Sequence, residues 1–137
     1  MTFISLKDLK KKIDNTRLPT DCILYRVSTK KKDGKDISIV KFIIPKNIAY
    51  ESGINPGTQL DILYDKDTSI CKMVVLRQSG GFSVKDFPDY KTSTPSRGSF
   101  VRFYYIDGCG LPYTDNKNWF IYEYEIKAGL IFKLENR

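Results

Sequence analysis

Apolar and polar residues alternate with a period of two along most of this chain, the spacing of a strand with one buried face. On that pattern, and on their Ile, Val, Tyr, Phe and Trp content, residues 22–28, 37–44, 60–64, 70–76, 99–106, 119–126 and 130–134 read as strands. One segment has a different period. Leu6, Leu9 and Ile13 recur at helical spacing among Lys7, Lys10, Lys11 and Lys12, which predicts a short amphipathic helix over 5–15. Ser5 would cap it, Asp8 would sit in its first turn, and Asn15 and Pro19 would end it. The expected fold class is mainly β with a short N-terminal helix.

Turn residues divide these strands. Asp33-Gly34 is a hairpin signal, and it places Lys30, Lys31, Lys32 and Lys35 at a loop tip held away from the core. Residues 45–53 read as one helical turn stopped by Gly53, followed by the turn Asn55-Pro56-Gly57. Asp65 to Thr68 and Lys127-Ala128-Gly129 are further turns. Residues 79–98 are broken by Gly80-Gly81, Pro88, Pro95 and Gly98 and read as a connector. The organisation predicted is an N-terminal helix and linker (1–20), a β module (21–78), the connector (79–98), and a C-terminal meander packing on the first module (99–137).

Charge sharpens this picture. The 137 residues carry a formal net charge of +7. Counted by halves, residues 1–60 hold twelve Lys and Arg against six Asp and Glu, while residues 61–137 hold eleven against ten. A cationic excess confined to one half points to a polyanion, DNA first. Lysines on this surface supply phosphate contact without sequence information; Arg26 and Arg102 are the residues able to read base edges. Tyr104, Tyr105, Tyr113, Tyr122 and Tyr124 read first as core or cross-strand pairs and second as platforms for unpaired bases.

The same composition argues against catalysis and metal binding. There is no histidine, so the commonest general base is missing. Cys22, Cys71 and Cys109 stand far apart with no CxxC pair; a zinc site is not expected, and such thiols suit a reducing compartment. No metal or cofactor is expected. Asp65 and Asp67 are explained by a polar turn. The N-terminal residues lack the apolar stretch of a signal peptide and no run is long enough to span a membrane, so the expectation is a cytoplasmic protein with no membrane partner.

The segment from Lys41 to Tyr64 resembles the AbrB-like swapped-hairpin module of bacterial transition-state regulators and antitoxins. It has a strand ending in Ile44-Pro45-Lys46, a helical turn closing in Gly53-Ile54, the turn Asn55-Pro56-Gly57, and a strand with Leu60, Ile62 and Tyr64. It departs from the pattern at Ala49, where the family often has Arg, and at Ser52, where a bulky apolar residue is usual. The resemblance implies an interlaced swapped-hairpin β-barrel built from two modules, and DNA contact through Lys41 and Lys46. Two copies could come from a homodimer. They could also come from one chain if its halves are degenerate repeats forming a pseudo-duplicated barrel. The matching triplets would be Val40-Lys41-Phe42 with Val101-Arg102-Phe103, and Ile62-Leu63-Tyr64 with Ile121-Tyr122-Glu123. Met73 to Leu76 would match Ile131 to Leu134. The function expected is a small DNA-binding transcriptional regulator or antitoxin; the alternative is a non-enzymatic module, for example from a phage, that docks on a protein partner.

Overall fold

A computed structural model describes residues 22–86 and 98–135; the helix expected over 5–15 lies outside the described residues. The elements in chain order are β1 (Ile23–Lys32), β2 (Lys35–Pro45), α1 (Lys46–Ser52), β3 (Gln59–Asp65), β4 (Ile70–Leu76), β5 (Phe82–Ser83), β6 (Lys85–Asp86), β7 (Gly98–Tyr104), β8 (Trp119–Ile121), β9 (Tyr124–Ile126) and β10 (Leu130–Lys133). They make two antiparallel five-stranded sheets. Sheet A has the order β6-β7-β2-β1-β8 and sheet B the order β5-β3-β4-β10-β9.

The chain is mainly β, as expected, but the sheets do not close into a barrel. At one seam the backbone passes from β5 to β6 through Val84 alone. Val84 donates its N–H to Thr58 O at 2.9 Å and accepts from Gly57 N–H at 3.0 Å, so its hydrogen bonds go to the turn before β3. At the other seam Tyr122 and Glu123 carry the chain from β8 to β9. A strand that bends from one sheet to the other makes a corner and not a continuous ladder. Two expectations change with it. The strand expected over 119–126 is broken at this corner, and the expected connector contains β5 and β6. The C-terminal strands also do not form a meander, since among them only β9 and β10 pair with each other.

Alternation builds the core. Ile23, Tyr25 and Val27 of β1, Val40, Phe42 and Ile44 of β2, and Val101 of β7 point inward against Leu60, Cys71, Met73, Leu130 and Phe132 of sheet B. Phe42 joins the layers, with its ring 4.9 Å from Tyr25 in its own sheet and 6.1 Å, edge-on, from Phe132 in the other. Fully burying an aromatic of this size is worth about 1.5–3 kcal/mol, and the ring pairs add to that. Tyr25 is fully buried and its hydroxyl donates to Pro112 O at 2.6 Å, so burial leaves no polar atom unpaired there. Cys22 and Cys71 are buried thiols, and burial pushes Cys71 up to about 12, which makes it an inert core residue.

α1 follows the expected pattern of residues. Pro45 precedes its first residue, Gly53 closes it with a left-handed backbone (φ 77°), and Ile54 N–H returns to Ala49 O at 2.9 Å. Ile48, Ala49 and Ile54 are buried, and the helix packs on β2 and β7. Ala49, where the resembled family often has a basic residue, is therefore a core position. The Ser52 hydroxyl donates to Ile48 O at 2.7 Å and satisfies a carbonyl at the helix end.

β1 is paired by β8 only over Ile23 to Tyr25. Further along, side chains stand in for a strand. Thr114 Oγ1 accepts from Val27 N–H at 3.0 Å and donates to Val27 O at 3.3 Å, and Asn116 Oδ1 accepts from Thr29 N–H at 2.7 Å. Asp115 and Asn116 take left-handed backbones to aim these groups, a conformation Asp and Asn tolerate. Replacing Thr114 with Val keeps the shape and removes both bonds to Val27. The expected loss is about 1–3 kcal/mol of unfolding free energy in a urea titration, the cost of leaving buried peptide groups unpaired.

Candidate nucleic-acid interface

The outward face of sheet A is set by register. Arg26 of β1 lies opposite Lys41 of β2, and Lys41 lies opposite Arg102 of β7. Directly opposed residues on neighbouring strands sit about 5 Å apart, so three cations form one row across three strands. Each is flanked along its own strand by an inward-pointing aromatic: Tyr25, Phe42 and Phe103. The row therefore lies on the face opposite the core.

The hairpin extends this face. β1 and β2 run to a two-residue turn, Asp33-Gly34, whose backbones are both left-handed (φ 53° and 78°) as that tight turn requires. The lysines expected on a loop are thus on strand ends. Past the bonds from Thr29 to Asn116 and from Tyr105 N–H to Ser38 O (2.9 Å), the ribbon from Lys30 to Asp36 is exposed. Three ladder pairs and a turn reach roughly 10 Å beyond the sheet. Lys30, Lys32 and Lys35 share the face of Arg26 and Lys41, because the pairs Lys30–Ile37 and Lys32–Lys35 lie an even number of residues from Arg26–Lys41. Lys31 pairs with Asp36 and leaves the opposite side of the ribbon.

Lys46 is not part of this group. It begins α1 after Pro45, at the end of β2 furthest from the hairpin tip, roughly 17 Å along the strand from Lys41. The sheet adds a residue that sequence reasoning missed. Lys85 of β6 pairs with Phe100 and so joins the outward face. Its only sequence signal was a lysine in a stretch read as irregular. Over the described strands of sheet A, the outward positions carry Arg26, Lys30, Lys32, Lys35, Lys41, Lys85 and Arg102 and no Asp or Glu.

The middle of the row is partly buried and flanked by like charge. Lys41 is held below the ordinary lysine range, first by burial and then by the Arg26 and Arg102 guanidiniums. Its ammonium lies 5.5 Å from the Phe100 ring centroid, while Arg26 Nε donates to Ser28 Oγ at 2.7 Å. Of the tyrosines singled out from the sequence, Tyr104 is on the outward face and 63% exposed. Tyr105 is half-buried, donates to Leu111 O at 2.6 Å and stacks on Tyr113 at 4.6 Å. Tyr124 packs partly against the core, and Tyr122 is exposed at the β8–β9 corner. Neither Cys109 nor the Asp65–Asp67 turn joins a metal-binding cluster, and none is present among the described residues. There Asp65 is occupied in capping its own turn, accepting from Asp67 N–H at 3.0 Å and the Thr68 hydroxyl at 3.0 Å. No helix among the described residues is long and apolar enough to cross a membrane.

No protein-family model matches the chain, and no curated protein or solved structure matches it.

Like charges directly opposite on strands cost roughly 0.2–1 kcal/mol. Lys41→Met keeps the stem that packs on the sheet and removes the central charge. Its thermal midpoint at neutral pH is expected to equal or exceed that of the unchanged protein. A lowered lysine pKa means the folded state binds fewer protons than the unfolded one, so the penalty is full below the folded value and fades as pH rises towards about 10.5. The difference between the two proteins should therefore shrink as pH is raised, read by thermal melts from neutral pH upward.

Proposed function

We propose that this protein binds DNA through the outward face of sheet A and the β1–β2 ribbon. The observation that carries the reading is the charge pattern: seven cations and no carboxylate over the outward positions of five strands. A solvated surface mixes signs, whereas a single-sign face raises the local concentration of an opposite polyion. The Arg26–Lys41–Arg102 row meets phosphates, and the exposed ribbon has the width of an element that a major groove admits. Arginines at both ends of the row add bidentate hydrogen bonding to a surface otherwise made of point charges.

The resemblance of residues 41–64 to the AbrB-like module points the same way, and gives a small transcriptional regulator or antitoxin-like protein as the biological role. The strand order supports a further part of that reading, two modules within one chain. Taken round both sheets, the order reads alike from the β2–β7 pair in either direction when β1, β2, β3 and β4 are matched to β6, β7, β9 and β10. The pair Lys41–Arg102 is then its centre, with Val40 opposite Phe103 and Phe42 opposite Val101. The other two matches, Ile62–Tyr64 with Ile121–Glu123 and Met73–Leu76 with Ile131–Leu134, do not hold. Ile121 lies in sheet A while Ile62 lies in sheet B, and Met73 is buried opposite Leu130, one residue out of phase with Ile131.

Binding to a short random duplex, followed by fluorescence anisotropy over a range of salt, tests the function. Each phosphate neutralised adds about 0.9 to the slope of log affinity against log salt. Replacing Arg26 and Arg102 with Gln and Lys41 with Met should lower that slope by about 2.7. Replacing Lys31 with Gln should leave the slope unchanged. Absence of binding to both duplex and single-stranded DNA at low salt would sink the reading.

A further inference from the structure

We infer that the groove along the free edge of β7 takes an unpaired base of single-stranded DNA, an inference that rests on the nucleic-acid reading above. Among the described residues, β6 covers β7 only through Lys85 opposite Phe100 and Asp86 opposite Ser99. Beyond Phe100 the strand edge opens onto a groove of about 510 Å³, lined by Ile39, Phe82, Lys85, Phe100, Arg102 and Tyr104, among others. That volume falls within the range of small-molecule sites. Its floor is set by a contact between the two sheets, Phe82 of β5 against Phe103 of β7 with ring centroids 4.4 Å apart.

The chemistry of the wall decides the ligand. Along β7 the outward residues read Phe100, Arg102, Tyr104: ring, cation, ring, about 7 Å apart. Lys85 adds a second cation beside Phe100. A face built for duplex phosphates alone needs only the cations. Aromatic rings are useful to a nucleic acid whose bases are unstacked, because each such base presents a π-face, and single-strand sites pair a cationic track with stacking platforms for this reason. Here the track is already present: Arg102 is both the rim of the groove and the end of the row that continues through Lys41 to Arg26. A strand crossing the sheet along that row brings its sugar-phosphate chain over the three cations and a base to Tyr104. The tyrosine is exposed enough, at 63%, to be covered by one.

The test is binding of an oligothymidine strand carrying one 2-aminopurine, with a duplex of equal length as the comparison. The protein should quench the 2-aminopurine on binding, as stacking on a ring requires. Tyr104→Ala should weaken single-strand affinity about ten-fold and weaken duplex affinity by clearly less, and should abolish part of the quenching. Tyr104→Phe should restore both relative to Tyr104→Ala. Tyr122→Ala, an equally exposed tyrosine at the other corner, should bind the strand as the unchanged protein does. Duplex binding with no response of the strand to Tyr104→Ala would overturn the base site and leave the DNA-binding face standing. Equal losses for strand and duplex, or an equal loss in Tyr122→Ala, would also overturn it. No binding to either nucleic acid would remove both.

Discussion

Side chains on a strand point alternately to its two faces, and in sheet A this constraint ties the cationic face to the core. Tyr25 points in and Arg26 out; Phe42 points in and Lys41 out; Phe103 points in and Arg102 out. A slip of one residue in either pairing would move a buried ring to solvent and press a cation into the core. Phe42 touches both Tyr25 and Phe132, so the packing that joins the two sheets also fixes which side of sheet A carries charge. The side of the sheet on which each cation stands is thus set by the aromatic residue beside it.

That arrangement works against local stability. Three like charges across adjacent strands repel, and Lys41, in the centre, is held below the ordinary lysine range first by burial and then by the two arginines. A face optimised for folding would alternate sign across the row. Beneath the row lies a chain of rings from Trp119 through Tyr25 and Phe42 to Phe132. The ribbon beyond the sheet has no such support, and its two-residue turn with left-handed backbones holds the strands together without a core beneath them.

The corners matter as much as the strands. Because the chain bends from sheet B into sheet A at Val84, β6 is too short to cover β7, and the open edge between Phe82 and Tyr104 becomes a groove. The bend at Tyr122 and Glu123 leaves a second exposed tyrosine, but on a side without the cationic row. A closed barrel would have continuous ladders at both seams and no such groove.

Much of the molecule could be read from the chain. Period-two alternation locates most of the strands, Asp33-Gly34 and Lys127-Ala128-Gly129 locate hairpins, and Gly53 stops the helix, because local sterics and hydrogen bonding decide these features within a few residues. Most cations of the outward face could be nominated from charge and from resemblance. Their grouping could not. Whether Arg26, Lys41 and Arg102 meet depends on pairing and register between strands as far apart in the chain as β2 and β7, and whether Lys85 joins them depends on a two-residue strand in a stretch with no periodic signal. The exclusion of Lys31 and Lys46 follows from facing and position along a strand once its partners are known. The sequence by itself determined the alternation that makes a charged face and an aromatic core. Only the tertiary structure decided which strands lie side by side, since long-range pairing is set by the packing of the whole core and leaves no local mark on the residues it brings together.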